Sequence, residues 1–417
     1  MRIPRTFKRW LRVLGLAAAT AVLVTACGGG DGGGGGSSAG NGGNGGNGGS
    51  GGSDGNSGNT AVITVNTGVA NVINIPTISL KVCAPGTSNC QVVNNVLVDT
   101  ASYGLRLVGS AVSGVLGSLP QVTSGGAPVA ECGKFVSSYT WGSVRTVDLS
   151  IGSEQAGSLP VQIIGDLGTT NVPSSCTNGG TSANSASALG ANGILGIGPA
   201  PVDCGTTCAT STSTNNNYYA CPNGDNASCT VALVPIAQQV ANPVHRFADS
   251  SGVSVAMPSI SNSGQASATG TLTFGLPDLS GKTVLTSTTT GDVSATFQGR
   301  NVMAFFDTGS NAYFFNDSTN QSTTCPKNTQ FYCPASPPAS YSATLTGQNG
   351  VSGPVSMSIA NADSLFANPS TFAFNDIAGP FGSSSWLDIG MPHFYGKTIY
   401  FGMDKTASGG AQPFVAF

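Results

Sequence analysis

The chain has 417 residues, 8% of them charged, and a formal net charge of −3. That length fits two domains or one large bilobal domain. So sparse and nearly balanced a charge excludes a nucleic-acid binder that relies on a basic groove, and no nucleic-acid partner is expected.

In chain order, residues 1–26 read as a targeting segment rather than as fold. Arg2, Arg5, Lys8, Arg9 and Arg12 form a basic start, and an apolar stretch follows from Val13 to Val24. That stretch is short for a membrane span and has the layout of a signal peptide. Its ending, Val24-Thr25-Ala26-Cys27, resembles a bacterial lipobox. The resemblance implies cleavage before Cys27 and lipidation of its thiol, hence a membrane partner through a lipid anchor. Gly28 follows Cys27 where an Asp would signal inner-membrane retention, so an outer-membrane-anchored lipoprotein of the cell envelope is expected. Residues 27–60 read as a lipidated Cys followed almost purely by Gly, Asn, Ser and Asp, which cannot bury a core and form a flexible tether. About 33 such residues span roughly 30 Å as a coil.

From Ala61 the texture changes. Ala61–Val65, Thr77–Val82, Val144–Ile151, Thr271–Phe274 and Thr398–Phe401 are short β-branched runs between turn residues, and they predict strands. Helical periodicity is confined to short segments near Leu233–Val240 and Asn242–Phe247. The expectation is a mainly β protein, with an N-terminal lobe over 61–240 and a C-terminal lobe over 241–417. The run Gly270–Gly275 is expected to help join them.

Apart from Cys27 there are ten cysteines, an even number that in an exported chain reads as five disulfides. Cys83–Cys90 and Cys325–Cys333 are plausible local pairs. Cys204, Cys208, Cys221 and Cys229 are expected to make two bridges in one loop, which leaves Cys132 with Cys176. Zinc is the rival use of these residues, but Cys204 and Cys208 do not form a CxxC pair. No metal and no organic cofactor is expected.

The chemistry-bearing feature is a doublet. Val96-Leu-Val-Asp-Thr-Ala-Ser102 recurs as Ala304-Phe-Phe-Asp-Thr-Gly-Ser310. An Asp at the end of an apolar strand enters a site from a rigid base. Two such carboxyls held a few ångströms apart cannot both ionise, so one retains a proton. Thr100 and Thr308 can hydrogen-bond across a pseudo-dyad. Ser102 and Ser310 can donate to the outer carboxylate oxygens. Ala101 and Gly309 are small where backbone N–H groups must approach the carboxylates.

On these residues the sequence resembles the pepsin-like aspartic proteases. Asp99–Leu105 and Asp307–Tyr313 match that family's two active-site loops. Asn192-Gly-Ile-Leu-Gly-Ile-Gly-Pro199 and Trp386–Phe401 are similar to its apolar-apolar-Gly strands. The resemblance implies a bilobal pepsin-like aspartic protease fold with a pseudo-twofold between lobes, and Asp99 and Asp307 as the catalytic pair. Asn242–Asp249, Phe331–Pro334 and Gln412–Phe417 further resemble an uncharacterised family of bacterial lipoproteins, a domain of unknown function. Three positions depart from the protease pattern. Ala101 replaces a Gly, Asp388 takes an apolar place, and the flap hairpin offers Phe135, Tyr139 and Trp141 without one clear counterpart to the family's flap Tyr.

The expectation is therefore a monomeric, lipid-anchored aspartic endopeptidase acting on a peptide or protein substrate. The alternative is a non-catalytic peptide- or glycan-binding envelope lipoprotein on the same fold. Ala101 and the flap favour the alternative; retention of both Asp residues favours the enzyme. A wide separation of the two carboxyls, or Arg106 filling the gap between them, would exclude the dyad.

Overall fold

The computed structural model describes residues 55–417; the targeting segment, Cys27 and nearly all of the tether lie outside the described residues. The β-branched runs fold as strands Thr60–Val65, Thr77–Cys83, Ser138–Ile151, Ala268–Phe274 and Thr398–Gly402. The two helical candidates reduce to single 3-10 turns, Ile236–Gln238 and Pro243–Arg246. Pro235 and Pro243 explain why: neither can donate a helical hydrogen bond, so each is confined to the start of a turn. Asn242 caps the second turn by accepting from Val244 N. No helix among the described residues is long and apolar enough to cross a membrane.

Two equivalent three-strand motifs organise the molecule. In the first, Gly193–Ile197 runs parallel to Cys90–Asp99 and antiparallel to Tyr103–Val108, with Gly196 level with Asp99. In the second, Trp386–Gly390 runs parallel to Arg300–Asp307 and antiparallel to Tyr313–Phe315, with Gly390 level with Asp307. Each Asp therefore leaves a strand at the same height as the glycine of the strand beside it. The glycines are required by close approach. A Cβ on Gly390 would lie 2.0 Å from Ala312 O, and one on Gly196 2.7 Å from Tyr103 N. The shared topology gives a bilobal, mainly β, pepsin-like fold with a pseudo-twofold between its lobes.

Apolar alternation sets which face of each strand is buried. Val96, Val98, Leu105 and Leu195 in the first motif join Ala304, Phe306, Leu387 and Ile389 in the second in one core. Burying a side chain of this size contributes about 1.5–3 kcal/mol.

The 17-stranded sheet that holds the first motif continues into strands from the second half of the chain and ties the lobes together. Thr60–Val65 pairs along its length with Ala268–Phe274. Gly252–Ala256 follows, then Thr398–Gly402, Phe414–Ala416 and Val284–Thr286. The run 270–274 thus lies in this joining part of the sheet, between Thr60–Val65 and Gly252–Ala256. The five disulfides are Cys83–Cys90, Cys132–Cys176, Cys204–Cys208, Cys221–Cys229 and Cys325–Cys333.

Asn74 is a further tie. It is fully buried, with φ 53°, a left-handed conformation that Asn tolerates. Its side-chain amide donates to Asn311 O and Phe374 O, both at 2.8 Å. Its Oδ1 accepts from Phe374 N at 2.8 Å and from the Tyr395 hydroxyl at 2.9 Å. One first-lobe side chain thereby holds three second-lobe segments. Asn74→Ala leaves these groups buried without partners and should destabilise the fold by about 2–4 kcal/mol in denaturant unfolding. A loss below about 0.5 kcal/mol, the usual surface effect, would contradict this role.

Candidate active site

Each Asp carboxyl is caught by its own loop as it leaves its strand. Asp99 Oδ1 accepts from Ala101 N at 2.9 Å and Ser102 N at 3.1 Å, and Oδ2 accepts from Ser102 Oγ at 2.5 Å. Asp307 repeats the arrangement. Its Oδ1 accepts from Gly309 N at 2.7 Å, and its Oδ2 from Ser310 Oγ at 2.9 Å. Backbone donors occupy the inner oxygen and a serine hydroxyl the outer one on both sides.

The threonines between them set the spacing. Thr100 N donates to Thr308 Oγ1 at 3.2 Å, and Thr308 N donates to Thr100 Oγ1 at 3.0 Å. Each hydroxyl then donates across the pseudo-dyad, Thr100 Oγ1 to Phe306 O at 2.8 Å and Thr308 Oγ1 to Val98 O at 2.6 Å. Both threonines are buried. The four bonds link the two loops reciprocally, so neither Asp can withdraw alone.

The carboxyls meet. Asp99 and Asp307 both press on the same point beside Gly309, and Asp307 is pushed up to about 8. Burial is the main cause and the charge of Asp99 the second; the Ser310 and Gly309 donors act against them. Gly309 sits against both groups: a Cβ there would lie 2.9 Å from Asp99 Cγ and 3.0 Å from Asp307 Oδ1. The equivalent position in the first loop carries the methyl of Ala101, which leaves that residue's N–H bond to Asp99 intact. Arg106 does not enter the gap. Its guanidinium turns away to Glu131 at 2.7 Å and Tyr103 O at 2.9 Å.

The pair lies in a cleft of about 690 Å³ bordered by both lobes. Leu97 and Ile194 line it on the first-lobe side, Phe305, Phe314 and Asp388 on the second. Of the three flap candidates, Phe135 lines the cleft together with the turn residues Val136, Ser137 and Ser138. Tyr139 and Trp141 are buried in a cluster with the Cys132–Cys176 bridge. Trp141 Nε1 donates to Asn226 Oδ1 at 2.8 Å, and its ring meets Tyr219 edge-on at 5.2 Å. They pack the base of the hairpin instead of covering the cleft, because they alternate onto the inner face of a paired strand while Phe135 precedes it in the turn.

The histidines stand apart from the carboxyls. His245 bonds Pro199 O, and His393 packs on Phe306 and Tyr313. Among the described residues, one group, Cys325, Cys333 and Asp363, is close enough to suggest a metal, but the two sulfurs are bonded to each other and do not fit one. Sequence reasoning flagged Asp388 only as a departure and did not single out Phe305 or Phe314. The available signal was positional. Phe305 precedes Asp307 by as many residues as Leu97 precedes Asp99, and Asp388 precedes Gly390 as Ile194 precedes Gly196.

Raised carboxyls carry a pH signature. A group whose folded pKa exceeds its unfolded value stabilises fully below the unfolded pKa of about 3.9, and that contribution is lost as pH rises through the folded value. Asp307→Asn removes this loss. Its stability relative to the wild type, from urea unfolding, should be greater at about pH 8 than at about pH 4. An equal difference at both would mean that Asp307 titrates as a free carboxyl.

No curated protein matches the chain. Among solved structures, the crystal structure of an aspartic proteinase from Irpex lacteus is similar, at 13% sequence identity and a TM-score of 0.46, covering 86% of this chain and 96% of that one. The family described as "Protein of unknown function (DUF3443)" matches residues 55–417, and the chain belongs to that family.

Proposed function

We propose that the protein is an aspartic endopeptidase, tethered to the cell envelope by a lipid on Cys27. The observation that carries this reading is the pair of carboxyls, Asp99 and Asp307, brought together by cross-linked loops on the lining of a two-lobed cleft. One proton shared by the pair leaves one carboxylate to take a proton from a water held between them. That water attacks a peptide carbonyl carbon. The protonated partner donates to the carbonyl oxygen, giving a neutral gem-diol, and breakdown passes a proton to the leaving amine. The pair titrates jointly, so the roles of base and acid belong to the pair.

The cleft walls suit an extended peptide with apolar side chains on both sides of the scissile bond, since Leu97 and Ile194 face Phe305 and Phe314 across the dyad. The Phe135 turn can exclude water above it. The anchor follows from the lipobox-like Val24–Cys27, and residues 28–60 would let the enzyme stand off an outer membrane as a monomer.

One observation favours a non-catalytic peptide- or glycan-binding lipoprotein instead. The turn over the cleft presents Phe135 and Val136, and the aromatic polar groups of Tyr139 and Trp141 are buried elsewhere. Tight ligand binding without turnover, insensitive to Asp→Asn changes, would select that reading.

The test is cleavage of an unfolded protein substrate at acidic pH. Pepstatin-type inhibitors should block it, and Asp99→Asn and Asp307→Asn should each lower kcat/KM by at least about 100-fold. Equal rates for wild type and Asp307→Asn would exclude this mechanism.

A further inference from the structure

Asp388 is a third carboxyl on the cleft lining, and the paired-Asp chemistry leaves it without a role. It stands level with Phe305 on one neighbouring strand and Phe314 on the other, and all three line the cleft. The residue is 2% exposed, and its Oδ1 has no hydrogen-bond partner. Its Oδ2 lies 2.6 Å from Ser310 Oγ, which lies 2.9 Å from Asp307 Oδ2.

This geometry constrains the protons. Ser310 has a single hydroxyl hydrogen and cannot donate to two carboxylates at once. Were both Asp388 and Asp307 ionised, one would point an anionic oxygen at the serine lone pairs. The conflict disappears if Asp388 carries a proton on Oδ2 and donates it to Ser310 Oγ, while Ser310 donates to Asp307 Oδ2. The orphan Oδ1 is then the carbonyl oxygen of a neutral acid, a far cheaper group to bury than half of an unpaired charge.

The surrounding charges act in the same direction. Burial comes first, followed by the charges of Asp307 and Asp99, with only the Ser310 bond opposing them. On the Arg300–Asp307 strand, Arg300 is at the far end and bonds Gln298 and Asn316. On the Tyr313–Phe315 strand, Tyr313 faces the opposite side, where its hydroxyl meets His393. The first lobe has Ile194 at the corresponding place, so its Ser102–Asp99 bond has no such support.

We propose that Asp388 is a protonated positioning residue that aims the Ser310 hydroxyl at Asp307, so that three carboxyls hold two protons where a plain dyad holds one. Its deprotonation then sets an alkaline limit on the site. Ser310 must turn toward one anion and abandon the other, and Asp307 loses its outer donor. The catalytic consequence rests on the peptidase reading; the proton count does not.

The test has two arms on the full chain. In the first, protein labelled with 13C-aspartate is examined by infrared spectroscopy at neutral pH. Asp388→Asn should remove one carboxyl's share of the protonated-acid band, and an unchanged band overturns the proposal whether or not the protein is an enzyme. In the second, kcat/KM for peptide cleavage is followed against pH. Asp388→Asn, which can still donate to Ser310 but cannot ionise, should move the alkaline limb upward by about one unit. Asp388→Leu, which removes the donor, should lower kcat about tenfold with little change in KM. Variant profiles that superimpose on the wild type overturn the role in positioning. A wild type without peptidase activity overturns the function proposed above and leaves the infrared result to decide the proton count.

Discussion

The structure depends on the exchange of hydrogen bonds between Thr100 and Thr308. Each threonine takes the other's backbone N–H on its hydroxyl oxygen and gives its hydroxyl hydrogen to the carbonyl that ends the opposite apolar strand. Four buried bonds fix the separation of two loops about two hundred residues apart in sequence. The Asp carboxyls inherit that separation. Their proximity is a repulsion that the free carboxylates would relieve by moving apart, and the threonines deny them the movement. Burial first, and this repulsion second, favour a retained proton on Asp307.

The pseudo-twofold is close in backbone and broken in chemistry. Gly309 leaves no room for a Cβ beside the carboxyls, while its counterpart Ala101 carries one. Ile194 is matched by Asp388, so the serine of the second loop has a buried acid behind it and the serine of the first has an apolar wall. The cleft presents Leu97 and Ile194 on one side of the carboxyl pair and Phe305, Phe314 and Asp388 on the other. The lobes thus supply one symmetric feature, the carboxyl pair, and two unequal surroundings for it.

Much of this was legible in the sequence because local sterics left few choices. An Asp-Thr-small-Ser turn after an apolar strand, and a glycine where a neighbouring strand must pass within contact of it, are required by backbone approach at Gly196 and Gly390. Four of the bridges close short loops, so cysteine spacing carried information about them. The joining sheet was less legible. Its strands come from 60–65, 252–286 and 398–416, and their pairing depends on register between segments with similar β-branched texture. The flap was left open among three candidates for a related reason. Phe135, Tyr139 and Trp141 share an odd-numbered period, but the chain turns between the first and the other two, and only Phe135 reaches the cleft. Asp388 was visible as a polar residue in an apolar place; its partner Ser310, 78 residues earlier, was not visible as such.

The chemistry of the site turns on whether Asp99 and Asp307 share their protons as one unit. Carbon-detected NMR titration of the two aspartate carboxyls in the intact protein tests it most directly. Both resonances should move together through two separated steps, the upper one above the ordinary carboxylate range. Two independent single-step curves, each near the free-carboxyl value of about 3.9, would contradict it.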